Sequence, residues 1–336
     1  MHYRYLKQCK LRYEMKYFLI MNPDSHGGKS KKRFHRIWRL LDHRGINYVC
    51  ETTQSLDHAR QLSQLANRQN YDAIVAIGGD GTINSVLNGF YDDKGNRISD
   101  SRMGVIYTGT SPDFCKSYNI PLDMEQTVET LVAQRCRKIR VGKVTFLKEN
   151  IEMLNNKGLE KAEEHAVGYF ACCANIGLGA TLARRANSGI RKYAGDFLGT
   201  FLSLIRTVAS YRANNFIIVK DGEKTIVEKM YNMSIGRTRY IASGIKLNTG
   251  LDDDDDRFYC MTVTNLNLMN FPRLVKKVYS GQSFKNNHII SLEYCNKLEI
   301  YGNTLNPEIE YDGDPSGYLP CSIELANDTI ELFVKE

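Results

Sequence analysis

A chain of 336 residues with 42% hydrophobic and 25% charged residues is globular in composition and too long for one small core, so bulk disorder is excluded and two domains are expected. The net charge of +7 is modest and suits ATP, an anionic lipid surface or nucleic acid about equally. No apolar run approaches the roughly 20 residues of a bilayer span, the first residues lack the apolar core of a secretory signal, and nine cysteines without a Cys-x-x-Cys pair fit reduced thiols in the cytoplasm.

Residues 1–16 read as a basic extension, with Tyr3, Leu6, Leu11 and Tyr13 interleaved among the cations. A leader or an extra strand is the simpler reading, and adsorption to a membrane the alternative. Phe18 to Met21 is a short apolar run ending at Asn22-Pro23 and reads as a first buried strand. From Ser30 a helix follows, with Phe34, Ile37, Trp38 and Leu41 on one face and Gly45 ending it. Tyr48 to Thr52 is a second strand. Asp57 is the expected cap of a helix through Ala59, Leu62, Leu65 and Ala66.

The third strand, Ala73 to Ile77, leads into Gly78-Gly79-Asp80-Gly81-Thr82, the most informative run in the chain. Glycines there let backbone approach a polyphosphate closely, and their N–H groups can cradle its oxygens. Asp80 adds a carboxylate suited to Mg²⁺, and Thr82 is expected to cap and open the next helix, which carries Ile83, Val86, Leu87 and Phe90. Taken alone, the run is as well explained by a glycine-rich strand-to-helix turn. Met103 to Tyr107 is a fourth strand, ending at Thr108-Gly109-Thr110. Strands alternating with helices predict an α/β domain over residues 17–138, with a mostly parallel sheet, helices on both faces and ligands at the strand C-termini. Asn22, Thr52, Gly78 to Thr82 and Thr110 all fall at those ends.

After about Lys138 the texture changes to short strand-like runs: Val141–Phe146, Tyr169–Asn175, Phe216–Val219, Ile226–Ile235, Phe258–Thr264, Ile289–Glu293 and Lys297–Tyr301. Asp221-Gly222 is a hairpin signal. Helical pieces are expected from Thr181 to about Tyr211 and from Pro272 to Tyr279, and Lys148–His165 reads as an exposed excursion. Residues 139–328 are therefore expected to form an all-β domain of sandwich type.

Tempting motifs fail. Gly28-Lys29-Ser30 lacks the earlier glycine of a P-loop, because Pro23 stands there. No Gly-x-Gly-x-x-Gly follows a strand, and the histidines show no metal-binding spacing. The aspartates at 252–256 are a cation site or, more simply, a solvated loop.

In order along the chain, these pieces resemble the diacylglycerol kinase catalytic family, which includes sphingosine and ceramide kinases and bacterial lipid kinases. Asn22-Pro23 with Gly27-Gly28-Lys29 resembles its opening motif, and GGDGTINSVLNGF its central one. Thr110-Ser111-Pro112-Asp113-Phe114, Asn175-Ile176-Gly177-Leu178-Gly179 and Asp312-Gly313-Asp314-Pro315 resemble the later ones. The resemblance implies an NAD kinase/diacylglycerol kinase-like fold, with the active site between an α/β domain and a β-sandwich and with a last strand, 329–334, returning to the first domain. It implies ATP binding by Asn22, Thr52, Gly78, Gly79, Asp80, Gly81, Thr82, Ile83, Asn84 and Thr110. It makes Asp314 the general base, with Asp80 and Asp113 as further catalytic carboxylates, and Asp253 and Asp255 metal ligands. Ser85, Pro112, Arg140, Gly250 and Asp256 depart from the family pattern; Arg140 stands where relatives usually carry aspartate.

The implied activity is ATP- and Mg²⁺-dependent phosphorylation of diacylglycerol or a related lipid, reached at a membrane surface by a cytoplasmic protein peripheral to the inner face. NAD kinase shares the glycine motif, but Asp113-Phe114 and Asp312 to Pro315 favour the lipid branch. A non-catalytic nucleotide- or lipid-binding homologue is the third reading. No nucleic-acid reader is recognisable, and edge-strand pairing between copies is a route to a homodimer.

Overall fold

Four short strands, β1 (Lys16–Met21), β2 (Asn47–Thr52), β3 (Ala73–Gly78) and β4 (Arg102–Tyr107), pair in parallel in the order β2-β1-β3-β4. They belong to a computed structural model that describes residues 15–149, 165–187, 210–241, 245–252, 255–267, 269–279, 286–302 and 309–335. The helices of this part are α1 (Lys31–His43), α2 (Leu56–Arg68), α3 (Asp80–Asn88), α4 (Asp113–Ser117) and α5 (Met124–Ala133). Alternate strand residues face opposite layers. Leu19, Met21, Val75 and Ile77 pack with Phe34, Ile37 and Leu41 of α1 and with Val128 and Leu131 of α5. Phe18, Ile20, Ile74 and Ala76 pack with Ala59 and Leu62 of α2 and with Ile83, Val86 and Leu87 of α3. Burial on both faces is why these strands read as unbroken apolar runs rather than alternating ones.

The caps differ from expectation in two places. α2 is capped by Ser55, whose hydroxyl accepts the His58 N–H at 3.0 Å, while Asp57 sits in the first turn and accepts from Gln61 at 2.9 Å. α3 is capped by Gly79; Thr82 lies inside the helix, where its Oγ1 accepts from Asn22 Nδ2 at 2.8 Å.

The remaining elements are β5 (Cys136–Leu147), β6 (His165–Phe170), β7 (Cys173–Gly177), α6 (Leu178–Asn187), β8 (Asn214–Lys220), β9 (Glu223–Gly236), β10 (Tyr240–Ile241), β11 (Ile245–Lys246), β12 (Phe258–Thr264), α7 (Phe271–Tyr279), β13 (Ile290–Cys295), β14 (Leu298–Tyr301), β15 (Ile309–Tyr311) and β16 (Asp314–Phe333). Pairing among β5 to β15 is antiparallel in every described ladder. Long β9 pairs with β8 through its first half and with β7 and β12 through its second. β16 pairs in turn with β15, β14 and β5 and ends beside β4, where Leu332 meets Met103 in parallel. The strands thereby close round an apolar core that includes Phe146, Phe170, Ile176, Phe216, Met233, Leu298 and Ile323.

The β1–β4 ladders run on through β16 into antiparallel pairing, so a mostly parallel sheet describes only that end of the molecule. The run Tyr169–Asn175, expected as one strand, is broken at Ala171-Cys172 between β6 and β7. The helix expected to reach Tyr211 is described from Leu178 to Asn187, and residues 188–209, like 150–164 of the expected excursion, lie outside the described residues.

Candidate active site

β1, β3 and β4 end at one edge, and short hydrogen bonds hold their ends together. The Asn22 N–H donates to Ile77 O at 2.9 Å and the Thr108 N–H to Gly78 O at 2.8 Å. Asn22 Nδ2 donates to Thr82 at 2.8 Å, which fastens the loop after β1 to the start of α3. Two glycine backbones pass each other here: a Cβ on Gly109 would lie 2.6 Å from Gly79 Cα, and one on Gly78 would meet the Thr82 hydroxyl at 2.4 Å. Packing therefore demands glycine at Gly78 and Gly109. It does not at Gly81, where a Cβ would meet only Leu56 at 3.6 Å, an ordinary contact. Gly27 and Gly28, in the facing loop, have positive φ and nothing within 4 Å of a Cβ. A helix N-terminus fronted by glycines that the fold does not fill is suited to an anionic ligand brought close to backbone.

Thr52 and Thr110 are exposed at the ends of β2 and β4. Ile83 and Asn84 are buried instead, at 1% and 4% exposure. Ile83 belongs to the apolar core. Asn84 Nδ2 donates to Tyr169 O at 2.9 Å and to Asp312 Oδ2 at 3.2 Å, so it joins α3 to the second domain. Asn88 completes the join: it donates to Tyr169 O at 2.9 Å and accepts the Tyr169 N–H at 2.8 Å. Tyr118 after α4 adds a hydroxyl bond to Ala171 O at 2.6 Å.

Asp312, part of the Asp312-Gly313-Asp314-Pro315 motif, is the pivot of this join, a role that the motif alone does not reveal. With Gly313 it forms the tight turn between β15 and β16, at φ +48° and +91°. Its carboxylate accepts the successive N–H groups of Ala171, Cys172 and Cys173 at 2.8, 3.0 and 3.1 Å. Those donors explain the break between β6 and β7: they are turned onto the carboxylate instead of into a ladder. Burial pushes the Asp312 carboxyl up, against the pull of these hydrogen bonds. Asp314 opens β16 with its backbone opposite Tyr311. Glu310, also buried, accepts from Asn175 Nδ2 at 2.6 Å and from the Gly313 N–H.

Asp80 starts α3 and Asp113 starts α4. Burial chiefly, and then the nearby Asp80, push up both the Tyr107 phenol and the Cys115 thiol; Asp113 adds to the effect on Tyr107. Cys172 is raised by burial, then by Asp312, Cys173 and Asp80; Cys173 by burial, then by Glu310, Asp312 and Asp113. Burial first, and the neighbouring carboxylates after it, hold these thiols protonated, which disfavours thiolate chemistry there.

The acidic run near 252–256 is differently occupied. Asp253 lies outside the described residues. Asp255 accepts from Arg257 Nε at 3.0 Å and Nη2 at 2.8 Å, which lowers its carboxyl to about 2, and its carbonyl accepts from Arg237 Nη2. Asp256 pairs with Arg140 at 2.6 Å. Among the described residues no three potential ligands group round a cation position. Arginines already match these charges, so the described part of the run does not fit a resident metal ion. Asp80 does fit a magnesium ion carried on a nucleotide, which needs only one or two protein carboxylates.

The chain matches the model of the diacylglycerol kinase catalytic domain over residues 16–144 and that of the YegS C-terminal NAD kinase beta sandwich-like domain over 173–334. It is 24% identical over 315 residues to proteins named diacylglycerol kinase from Staphylococcus aureus, strains bovine RF122 / ET3-1 and MRSA252, an alignment covering 94% of this chain and 91% of theirs. A crystal structure of a diacylglycerol kinase from Bacillus anthracis strain Sterne superposes with a TM-score of 0.70 at 20% identity, covering 97% of this chain and 99% of that one. With both domain models matched in order, the chain resembles the diacylglycerol kinase family through each of its two parts.

Proposed function

We propose that the protein is an ATP-dependent lipid kinase acting on the hydroxyl of diacylglycerol or a related lipid. The observation that carries this reading is the glycine edge: Gly27, Gly28 and Gly81 leave space that the fold does not fill, in front of the α3 N-terminus and beside Asp80. There the backbone N–H groups hold the donor phosphates. Magnesium, when bound with the nucleotide, neutralises charge developing on the transferred group. The lipid oxygen bonds to the γ-phosphorus as the bond to ADP breaks, and the hydroxyl proton passes to Asp314, the first residue after the Asp312-Gly313 turn. Asp312 holds that turn in place through the Ala171–Cys173 amides. Among the described residues no helix is long and apolar enough to cross a membrane, so the lipid would be met at the surface.

The test is ATP turnover on a panel of diacylglycerol and hydroxyl-bearing phospholipids in mixed micelles. Asp314→Asn is expected to lower transfer by about 10²–10⁴-fold while ATP binding persists. The arginine-paired acidic run favours a second reading, a homologue that binds nucleotide without transfer. ATP binding without turnover on any lipid would establish that reading instead, and turnover with NAD as acceptor would move the protein to the NAD kinase branch.

A further inference from the structure

A second cleft, of about 470 Å³, lies beside α4 but away from the glycine turn. Its walls come from four places in the chain. Lys116 projects from α4; Arg137 and Arg140 stand on β5; Arg237 and Arg239 lie between β9 and β10; and Lys246 closes the far side from β11. One carboxylate, Asp252, lines it, and a second, Asp256, is engaged by Arg140 at 2.6 Å. The cations therefore outnumber the acids that face them. Aromatic rings help to fix two of them: Arg137 lies over Tyr118 at 5.5 Å and Lys116 over Tyr240 at 5.8 Å. Crowding like charges into a concave site disfavours the empty state.

The geometry points to a phosphate-binding site in this cleft, taking the phosphate group of an anionic phospholipid or free phosphate. The volume lies at the scale of small-ligand sites, about 300–1,000 Å³. Guanidinium forks matched to phosphate oxygens are the strongest recognition that several arginines can offer. A nucleic acid would want a basic stripe continuing over the surface, whereas these cations converge inward from separate elements. The inference goes beyond kinase activity and does not depend on it.

The test uses the full chain in direct binding. Inorganic phosphate is titrated by calorimetry, and phosphatidylcholine vesicles with and without phosphatidate are used in flotation. Arg239 and Lys246 are both exposed, so Arg239→Gln/Lys246→Gln should fold, and an unchanged denaturation midpoint checks this. Lys143→Gln, which removes a surface cation paired with Glu324, is the control. The double variant is expected to weaken binding roughly tenfold, while the control leaves it unchanged. Loss confined to phosphatidate vesicles identifies a lipid headgroup, and loss with inorganic phosphate as well identifies free phosphate. The proposal is overturned if neither probe binds, if the double variant binds like the wild type, if a non-hydrolysable ATP analogue displaces the probes, or if single-stranded RNA binds the cleft and phosphate fails to compete.

Discussion

Two hairpins in this protein turn on the same dipeptide. Asp221-Gly222 joins β8 to β9 and Asp312-Gly313 joins β15 to β16, and both have φ values of +48° and +91°. In each the aspartate N–H donates at 3.0 Å to a carbonyl of a neighbouring segment, Lys297 O in one and Cys173 O in the other. The carboxylates also do the same thing. Asp221 accepts the N–H groups of Asn296 and Lys297 at 2.9 and 2.8 Å, as Asp312 accepts those of Ala171, Cys172 and Cys173. What differs is the surroundings: the bonds of Asp221 are at the surface, whereas Ala171, Cys172 and Cys173 are only 3–7% exposed. An identical turn is a surface clip in one place and, in the other, a buried fastening of β15–β16 to the β6–β7 break that also meets Asn84 of α3. Water can replace the first carboxylate but not the second.

The largest expected effect tests this contrast directly. Asp312→Ala should cost about 3–5 kcal/mol in urea denaturation, because three buried donors lose their acceptor, and Asp221→Ala about 1 kcal/mol. Equal losses would sink the comparison. Asn84→Asp sets a carboxylate 3.2 Å from that of Asp312 and should cost about 2 kcal/mol, with no counterpart at the first hairpin. Gly313→Ala and Gly222→Ala should cost nearly the same, about 1–2 kcal/mol each, since a Cβ meets nothing within 4 Å at either and only the positive φ resists it.

The smallest effect is on pH dependence. The Asp312 carboxyl is raised in the fold, so its contribution is full below the ordinary carboxylate value and is lost as pH rises through the folded one. Asp255, lowered to about 2 from 3.8 by Arg257, contributes above about pH 4 and loses that contribution as pH falls towards 2. Stability differences between wild type and Asp312→Asn or Asp255→Asn, followed over about pH 2 to 7, should therefore slope in opposite directions.

Much of the fold can be read from the chain because its strands are apolar on both faces or alternate cleanly. Phe18–Met21 and Ala73–Ile77 are each within a residue or two of the observed strands. Phe258–Thr264 matches residue for residue. Errors arise where a tertiary partner overrides a local preference. Tyr169–Asn175 has the pattern of one strand, but a carboxylate some 140 residues away takes its central amides. Asp57 is as good a cap as Ser55 by residue type, and only the chain path decides between them. At the site, glycine spacing marks the edge proposed to take phosphate. It cannot distinguish Gly78, which packing requires, from Gly81, which it does not. Nor can it reveal that Asn84 is spent on Tyr169 and Asp312. The aspartate run looks like ligands until the arginines opposite it, at positions 140 and 237, are brought near by the fold.

β16 runs from Asp314 to Phe333 and supplies partners to β15, β14, β5 and β4. On the ribosome it is made after every strand it joins. Until it emerges, β4 presents an open edge to solvent and β5 lacks its longest ladder, although more than 300 residues of the chain already exist. Neither the parallel ladders nor the antiparallel ones are complete until this strand pairs. Premature termination anywhere before that strand would leave exposed edges able to pair with other chains.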